Sequence, residues 1–265
     1  MTMKKTLTLA GSDSSGGAGI QADLKTFQEH DVYGMTALTS IVTMDPDGWS
    51  HNVSAIDVNI VEKQLDTILS VGVDAMKTGM LGSVDIIELG AKKIEAYQLT
   101  NYVLDPVMVC KGDDEVLQPE NTEAMRELLL PHAIVTTPNL FEAGQLAQTG
   151  PIKTVEGMKE AAVKIHELGA KNVIIKGGKA FDYEKALDLF YDGNNFTLLE
   201  KDKIDTTYNH GAGCTFAAAI TANIANGKSV KDAVTDAKEF VTAAITHGWK
   251  LNEYVGPVMH GAYHK

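Results

Sequence analysis

Cysteine is nearly absent from this chain: Cys110 and Cys214 are the only two in 265 residues. Two cysteines cannot build a disulfide scaffold. Neither lies in a CxxC or related spacing, which argues against a structural zinc site. A reducing compartment suits such a sequence. Positive charge is also scarce, with 23 Lys and Arg against 35 Asp and Glu and a formal net charge of −12. That balance argues against nucleic acid or an anionic membrane as the main partner. It does not exclude an anionic ligand, because a few lysines and backbone N–H groups can hold one locally. No apolar run approaches the ~20 residues needed to cross a bilayer. The basic start Met1–Lys5 meets Gly11-Ser12-Asp13 too soon to be a signal peptide. These features together predict a soluble, cytoplasmic protein. Three common catalytic motifs are missing as well: GxxxxGK[ST], HExxH and GxSxG.

What is present is an alternation of strands and helices. Short apolar runs at Lys5–Ala10, Thr36–Met44, Ala75–Gly79, Tyr102–Val107, Ala133–Thr137 and Asn172–Lys176 read as strands. Helical periodicity follows them near Ile20–His30, Val61–Leu69, Asp85 onward, Leu140–Ala147, Val155–Leu168 and Val230–Trp249. In the first helix Ile20, Leu24 and Phe27 share a face. Asn52–Ile56 reads as a short strand after turn chemistry at Asp45-Pro46-Asp47-Gly48. Leu187–Tyr191 and Phe196–Leu199 read as a hairpin. The pattern predicts an α/β fold with a mostly parallel central sheet and helices on both faces. With no repeat, low-complexity segment or linker, residues 1–265 form one predicted domain. In such sheets ligands bind beyond the C-terminal strand ends. Polar residues gather at those ends: Gly11–Asp13, Met44–Asp45, Lys77–Gly79, Asp105–Cys110, Thr137–Glu142, Lys176–Gly178 and His210–Cys214.

The most informative stretch is Asp205–Phe216, a polar glycine loop running into a helix predicted over Cys214–Ala225 with a periodic apolar face. A helix that begins at glycines presents unpaired N–H groups and a positive dipole end, which together favour anions, phosphate above all. His210 and Cys214 place two proton-carrying groups at that mouth. The same stretch also reads as a plain glycine-rich start of a helix with a buried thiol and a surface imidazole. A cysteine hydrolase would leave Asp105, Glu142 and Lys176 at neighbouring strand ends without a task, whereas phosphoryl transfer would use them all. Asp105 and Glu142 are oxygen donors of the kind magnesium prefers. Gly17-x-Gly19-x-x-Ala22 matches the dinucleotide fingerprint only loosely, because it stands too far from its strand.

Several runs together resemble the ribokinase superfamily, in the branch of hydroxymethylpyrimidine and pyridoxal kinases: Ala10–Lys25, Lys77–Leu81, Leu104–Val109, Thr137–Ala143, Lys176-Gly177-Gly178, His210–Thr215 and Gly256-Pro257-Val258. The resemblance covers the whole chain. It implies a ribokinase-like fold, a homodimer, and transfer of phosphate from ATP, with Mg²⁺, to a hydroxymethyl group on a vitamin ring. It also implies site residues. Asp23 would hold ring substituents, and Gly11, Met44, Met80, Val107 and Cys110 would line the acceptor pocket. Asn139, Lys176, Gly177, Gly178, Lys179, Ala180, Asp188, Gly213 and Lys238 would surround the nucleotide. Glu142 and Asp105 would hold the metal. Gly211, Ala212, Gly213 and Cys214 would form the anion hole, with Cys214 and His210 as a proton relay. Pyrimidine kinases carry Gln where this chain has Met44, and usually a small residue where it has Cys110. Met44 cannot pair with an aminopyrimidine edge, so both departures favour pyridoxal. The superfamily's usual catalytic Asp is replaced by Cys214. A helix N-terminus lowers a thiol's pKa and nearby phosphates oppose that, so the sequence does not divide the basicity between Cys214 and His210. Cys110 has a further expected role, reversible addition to the pyridoxal aldehyde. Hydroxymethylpyrimidine kinase and a non-catalytic vitamin-binding protein are the competing readings.

Overall fold

The computed structural model describes residues 2–108 and 119–264. Among them, nine strands form one sheet: β1 (Lys5–Asp13), β2 (Tyr33–Met44), β3 (His51–Ala55), β4 (Ala75–Thr78), β5 (Tyr102–Leu104), β6 (Val135–Thr136), β7 (Val173–Gly178), β8 (Ala186–Tyr191) and β9 (Phe196–Lys201). Their order is β3-β2-β1-β4-β5-β6-β7-β8-β9. The block from β2 to β7 is parallel, and β3, β8 and β9 are antiparallel additions at the two edges. The α-helices among the described residues are α1 (Gly19–Glu29), α2 (Val58–Ser70), α3 (Val84–Ala96), α4 (Pro119–Ala124), α5 (Leu140–Ala147), α6 (Val155–Glu167), α7 (Ala212–Ala225) and α8 (Val230–Thr246).

The pleat assigns alternate residues to opposite faces. Tyr102 and Leu104 of β5, with Val173 and Ile175 of β7, face the core that includes α2, α3, α5 and α6. Val103 and Ile174 face the core built with α7 and α8. Helices therefore cover both faces, as the alternation predicts. Register aligns Leu9 with Thr78, Thr78 with Leu104, and Leu104 with Thr136. The residues just past these, Gly79, Asp105 and Thr137, thus leave the sheet along one line.

The structure departs from the sequence-based expectation at several elements. In α1 the buried face is Ala22, Asp23, Thr26 and Phe27, while Leu24 is exposed. The helix is wedged between β1 and α7, and small or polar side chains fit that gap. β2 is only partly buried and β3 is exposed along its length, because they form the open edge of the sheet. The expected periodic face of α7 is absent: every residue from Thr215 to Ala225 is buried. Sheet, α1 and α8 enclose it, and its alanines allow the close approach. The α4 turn, continued by a π-turn at Met125–Leu129 and a 3₁₀ turn at Leu130–His132, carries no clear helical signal in the sequence. Its first residues are polar, and Pro131 interrupts the end.

His260 lies in a C-terminal 3₁₀ turn packed on α1 and α8. It is buried, its Nε2 lacks a hydrogen-bond partner among the described residues, and burial pushes its pKa down to about 4. The unfolded chain takes up this proton near the ordinary histidine value of ~6.5, and the folded chain only near 4. Its stabilising contribution is therefore present above the unfolded pKa and is lost as pH falls toward the folded one. Comparing urea midpoints at pH 7 and pH 5 should show His260→Leu losing less stability on acidification than wild type; equal losses would contradict this.

Candidate active site

Two cavities open at the C-terminal ends of the parallel strands, of about 380 Å³ and 370 Å³. The first is walled by β1, the β2–β3 edge and the segments after β4 and β5. The second lies over β7, β8 and α8. Asn139, Lys176, Asn209, Ala212 and Gly213 border both, so the two cavities meet at the N-terminus of α7.

That terminus is set by Gly211, which has φ = 81° and supplies no side-chain cap. A Cβ at Gly211 would overlap the carbonyl oxygen of Gly17. Only glycine satisfies both the left-handed backbone and this contact. The loop is fastened from the other side by a backbone bridge: His210 N–H donates to Gly256 O at 3.1 Å, and Val258 N–H to His210 O at 3.2 Å.

His210 is buried, contrary to the surface position in the plainer reading of this loop. Its Nε2 lies 2.7 Å from Asp13 Oδ2. Asp13 also accepts from Ser15 N–H and Ala18 N–H at 2.8 Å each. Burial pushes Asp13 up, but the hydrogen bonds from His210 and Ser15 outweigh it and hold the carboxyl well below the usual range. No hydrogen bond joins His210 to Cys214 among the described residues. A relay between the two would have to pass through a third group. The left-handed turn at Gly211 directs the imidazole toward β1 instead of along α7.

Cys214 lies in the first turn of α7, and the backbone of Gly19 at the start of α1 is among the groups that act on its sulfur. Two helix N-termini thus converge on one thiol. Burial nevertheless pushes its pKa up to about 11, with Lys77 opposing. The lowering expected from the helix alone is reversed, because the sulfur is removed from water and Asp23 and Asp105 add unfavourable negative charge.

Of the other expected acceptor residues, Gly11, Met44, Met80 and Val107 line the first cavity. Met44 faces it beside His51, its cross-strand partner, which the sequence did not single out. Cys110 lies outside the described residues. Asp23 does not line the cavity and is fully buried beneath it. Both its oxygens lie 2.9 Å from Lys77 Nζ, and Oδ2 takes the Thr8 hydroxyl at 2.6 Å. The cavity-lining group is Lys77 itself. A fully buried lysine requires a charged partner; Lys77 inside the Ala75–Gly79 strand run hinted at one without identifying Asp23.

Of the residues expected at the nucleotide, Gly178, Lys179, Asp188 and Lys238 line the second cavity. Asp188 and Lys238 are paired at 2.6 Å, and Asp188 also accepts from Gly178 N–H. Gly177 and Ala180 line neither cavity. Gly177 is pressed against β8 and Phe181, and Ala180 points to solvent. Sequence reading missed the apolar end formed by Phe216, Val241 and Ile245.

Between the cavities, Asn139 caps α5. Its Oδ1 accepts from Glu142 N–H at 2.9 Å, and Glu142 Oε2 accepts from Asn139 N–H at 2.8 Å. Glu142 and Asp105 are both buried and both neighbour Lys176, whose Nζ is 3.2 Å from Asp105. Burial pushes Glu142 up to about 7, with Lys176 opposing and Asp105 adding to the rise. This pair is short of positive charge, and its oxygen donors suit a hard dication completed by phosphate and water. Among the described residues no group of three or more His, Cys, Asp or Glu forms a metal cluster.

The sequence pattern of the phosphomethylpyrimidine kinase family matches residues 13–259. The pyridoxine kinase of Bacillus subtilis is 61% identical over 264 residues, covering 99% of this chain and 97% of the relative. The ADP complex of Bacillus subtilis pyridoxal kinase superposes with a TM-score of 0.97 at 60% identity, over 99% of both chains. Staphylococcus aureus pyridoxal kinase in complex with AMP-PCP and pyridoxal gives 0.95 at 58%, over 100% of this chain and 96% of that one. With two cavities joined at the α7 N-terminus and likeness at this level from end to end, the chain belongs to the phosphomethylpyrimidine kinase family, whose fold is ribokinase-like.

Proposed function

We propose that this protein is a pyridoxal/pyridoxine kinase, moving the γ-phosphoryl group of ATP onto the 5′-hydroxymethyl group of pyridoxal and related vitamers. One observation carries the reading: two cavities share a glycine-built helix N-terminus, as direct transfer between two bound molecules requires. The names and bound molecules of the relatives supply the substrates. Met44 on the acceptor wall favours a pyridine over an aminopyrimidine, since a thioether cannot pair with the amine.

The acceptor ring lies between Met44, Met80 and Val107, with its hydroxymethyl group toward Cys214. The nucleotide occupies the second cavity, its terminal phosphate at Gly211–Cys214. Lys176 and the backbone N–H groups there take up the charge that develops as the hydroxyl attacks in line. Asp105 and Glu142 would hold Mg²⁺, which neutralises phosphate charge when bound. Cys214, as thiolate, accepts the hydroxyl proton. Asp13 and His210 fix the loop that carries it. A homodimer and a cytoplasmic location complete the proposal, the first from the family resemblance and the second from composition. No helix among the described residues is long and apolar enough to cross a membrane.

An ATP-consumption assay with pyridoxal, pyridoxine and hydroxymethylpyrimidine tests the assignment. The B6 vitamers should give the higher kcat/KM; a clear preference for the pyrimidine would overturn it. Sedimentation of the same preparation should give twice the chain mass, and a monomer would reject the dimer.

The proton role has its own signature. With the thiol pushed up to about 11, its ionised fraction rises with pH throughout the neutral range. The rate should therefore climb by about tenfold per pH unit from pH 7 to 9 while the chemical step limits turnover. Cys214→Ala should flatten that climb and lower kcat by roughly 10²–10⁴-fold. A wild-type profile that levels off near neutrality would assign the base to a group of imidazole type.

A further inference from the structure

Lys77 is fully buried on β4, yet it lines the first cavity together with Cys214 and Asp105. Its counter-ion Asp23 lies behind it and does not reach the cavity. A lysine ammonium carries three N–H donors. The two oxygens of Asp23 take two of them, and the third has no hydrogen-bond partner among the described residues.

Gly79, which also lines the cavity, puts no side chain between this ammonium and the cavity. A Cβ at Gly79 would sit 3.5 Å from Lys77 Nζ, as one at Gly213 would sit 3.5 Å from Lys176 Nζ. Each of these two lysines thus has a glycine where another residue's Cβ would lie against its ammonium, but the two do not border the same cavities. Lys176 borders both cavities, whereas Lys77 borders only the first. Lys77 is placed for the acceptor and not for the nucleotide.

The nearby acceptor wall offers hydrocarbon and thioether from Ala10, Val42, Met44, Met80 and Val107. Against such walls, a buried ammonium with a spare donor favours an oxygen acceptor, and an anionic one most. In a 3-hydroxypyridine the ring hydroxyl ionises readily, because its proton can move to the ring nitrogen. That oxygen is the ring substituent able to bring negative charge. Resting on the vitamin B6 reading above, we propose that Lys77 is a substrate-binding residue. It donates its third N–H to the ring oxygen at position 3 of the vitamer, held as phenolate, while Asp23 positions the lysine from behind.

Wild-type enzyme should be compared on pyridoxine and on 3-deoxypyridoxine, which keeps the hydroxymethyl acceptor. Loss of one charge-assisted hydrogen bond predicts a kcat/KM lower by about 10–100-fold for the deoxy compound. The ultraviolet spectrum of bound pyridoxine should show the phenolate form persisting to lower pH than in free solution. Lys77→Met would strand Asp23 in the interior, so the second arm is Gly79→Ala. Its methyl covers Nζ, with Ala10 Cβ 3.0 Å away giving slightly, and the Lys77–Asp23 pair stays intact. This variant should bring the two substrates within about threefold of each other and return the bound spectrum toward that of the free ring. Equal use of both substrates by wild type, or an unshifted spectrum, would overturn the proposal while leaving the kinase assignment standing. Turnover of neither compound would overturn both.

Discussion

The site depends on a contact that leaves no room for a side chain. Gly211 lies against the backbone of Gly17, and this brings the loop after β1 and the N-terminus of α7 together. His210, one residue before Gly211, and Asp13, four before Gly17, clamp the same two loops, and Gly256–Val258 hold His210 from the opposite side. Through this junction the N-termini of α1 and α7 converge on Cys214. The dipole of each helix then acts on one small volume, where a transferring phosphoryl group would sit. Loosening the junction would separate the donor and acceptor cavities that now share a wall.

The electrostatics explain how a chain of net charge −12 can hold anions. The site's own carboxylates, Asp13, Asp23, Asp105, Glu142 and Asp188, are buried, and the few cations beside them are the buried Lys77 and Lys238 and the half-buried Lys176. Lys176 keeps its proton because Asp105 and Glu142 more than offset its burial. Lys77 does so because Asp23 is at its back. Each pairing keeps an ammonium charged beside a cavity, and the neighbouring glycine places no side chain against it. The cost is visible at Glu142 and Cys214, whose burial pushes both toward their neutral forms.

Much of this was legible in the sequence, for physical reasons that differ by element. The parallel strands announce themselves as short β-branched runs between helical patterns, and their polar ends mark the binding edge. The Asn139–Glu142 cap is local and its spacing could have been read, but the family resemblance assigns both residues to ligands instead. The resemblance to vitamin kinases rests on motifs that the structure gathers at one edge of the sheet. What was not legible is non-local. Asp23 faces Lys77 across 54 residues and His210 faces Asp13 across 197, so neither pairing follows from local pattern. The burial of α7 from Thr215 to Ala225 depends on three surrounding elements, which a one-sided apolar pattern does not report. Leu24 was placed on the wrong face of α1, because the gap over β1 and α7 accepts Thr26 and Asp23 in preference to a larger side chain.

The central claim is that phosphate passes directly between two ligands meeting at the α7 N-terminus, without resting on Cys214 or His210. The stereochemical course of transfer tests this most directly, using ATP made chiral at the γ-phosphorus with oxygen isotopes and analysing the phosphorylated vitamer. A single in-line displacement predicts inversion of configuration at phosphorus. Retention would require two displacements and a phosphorylated enzyme, and would contradict this account of the site.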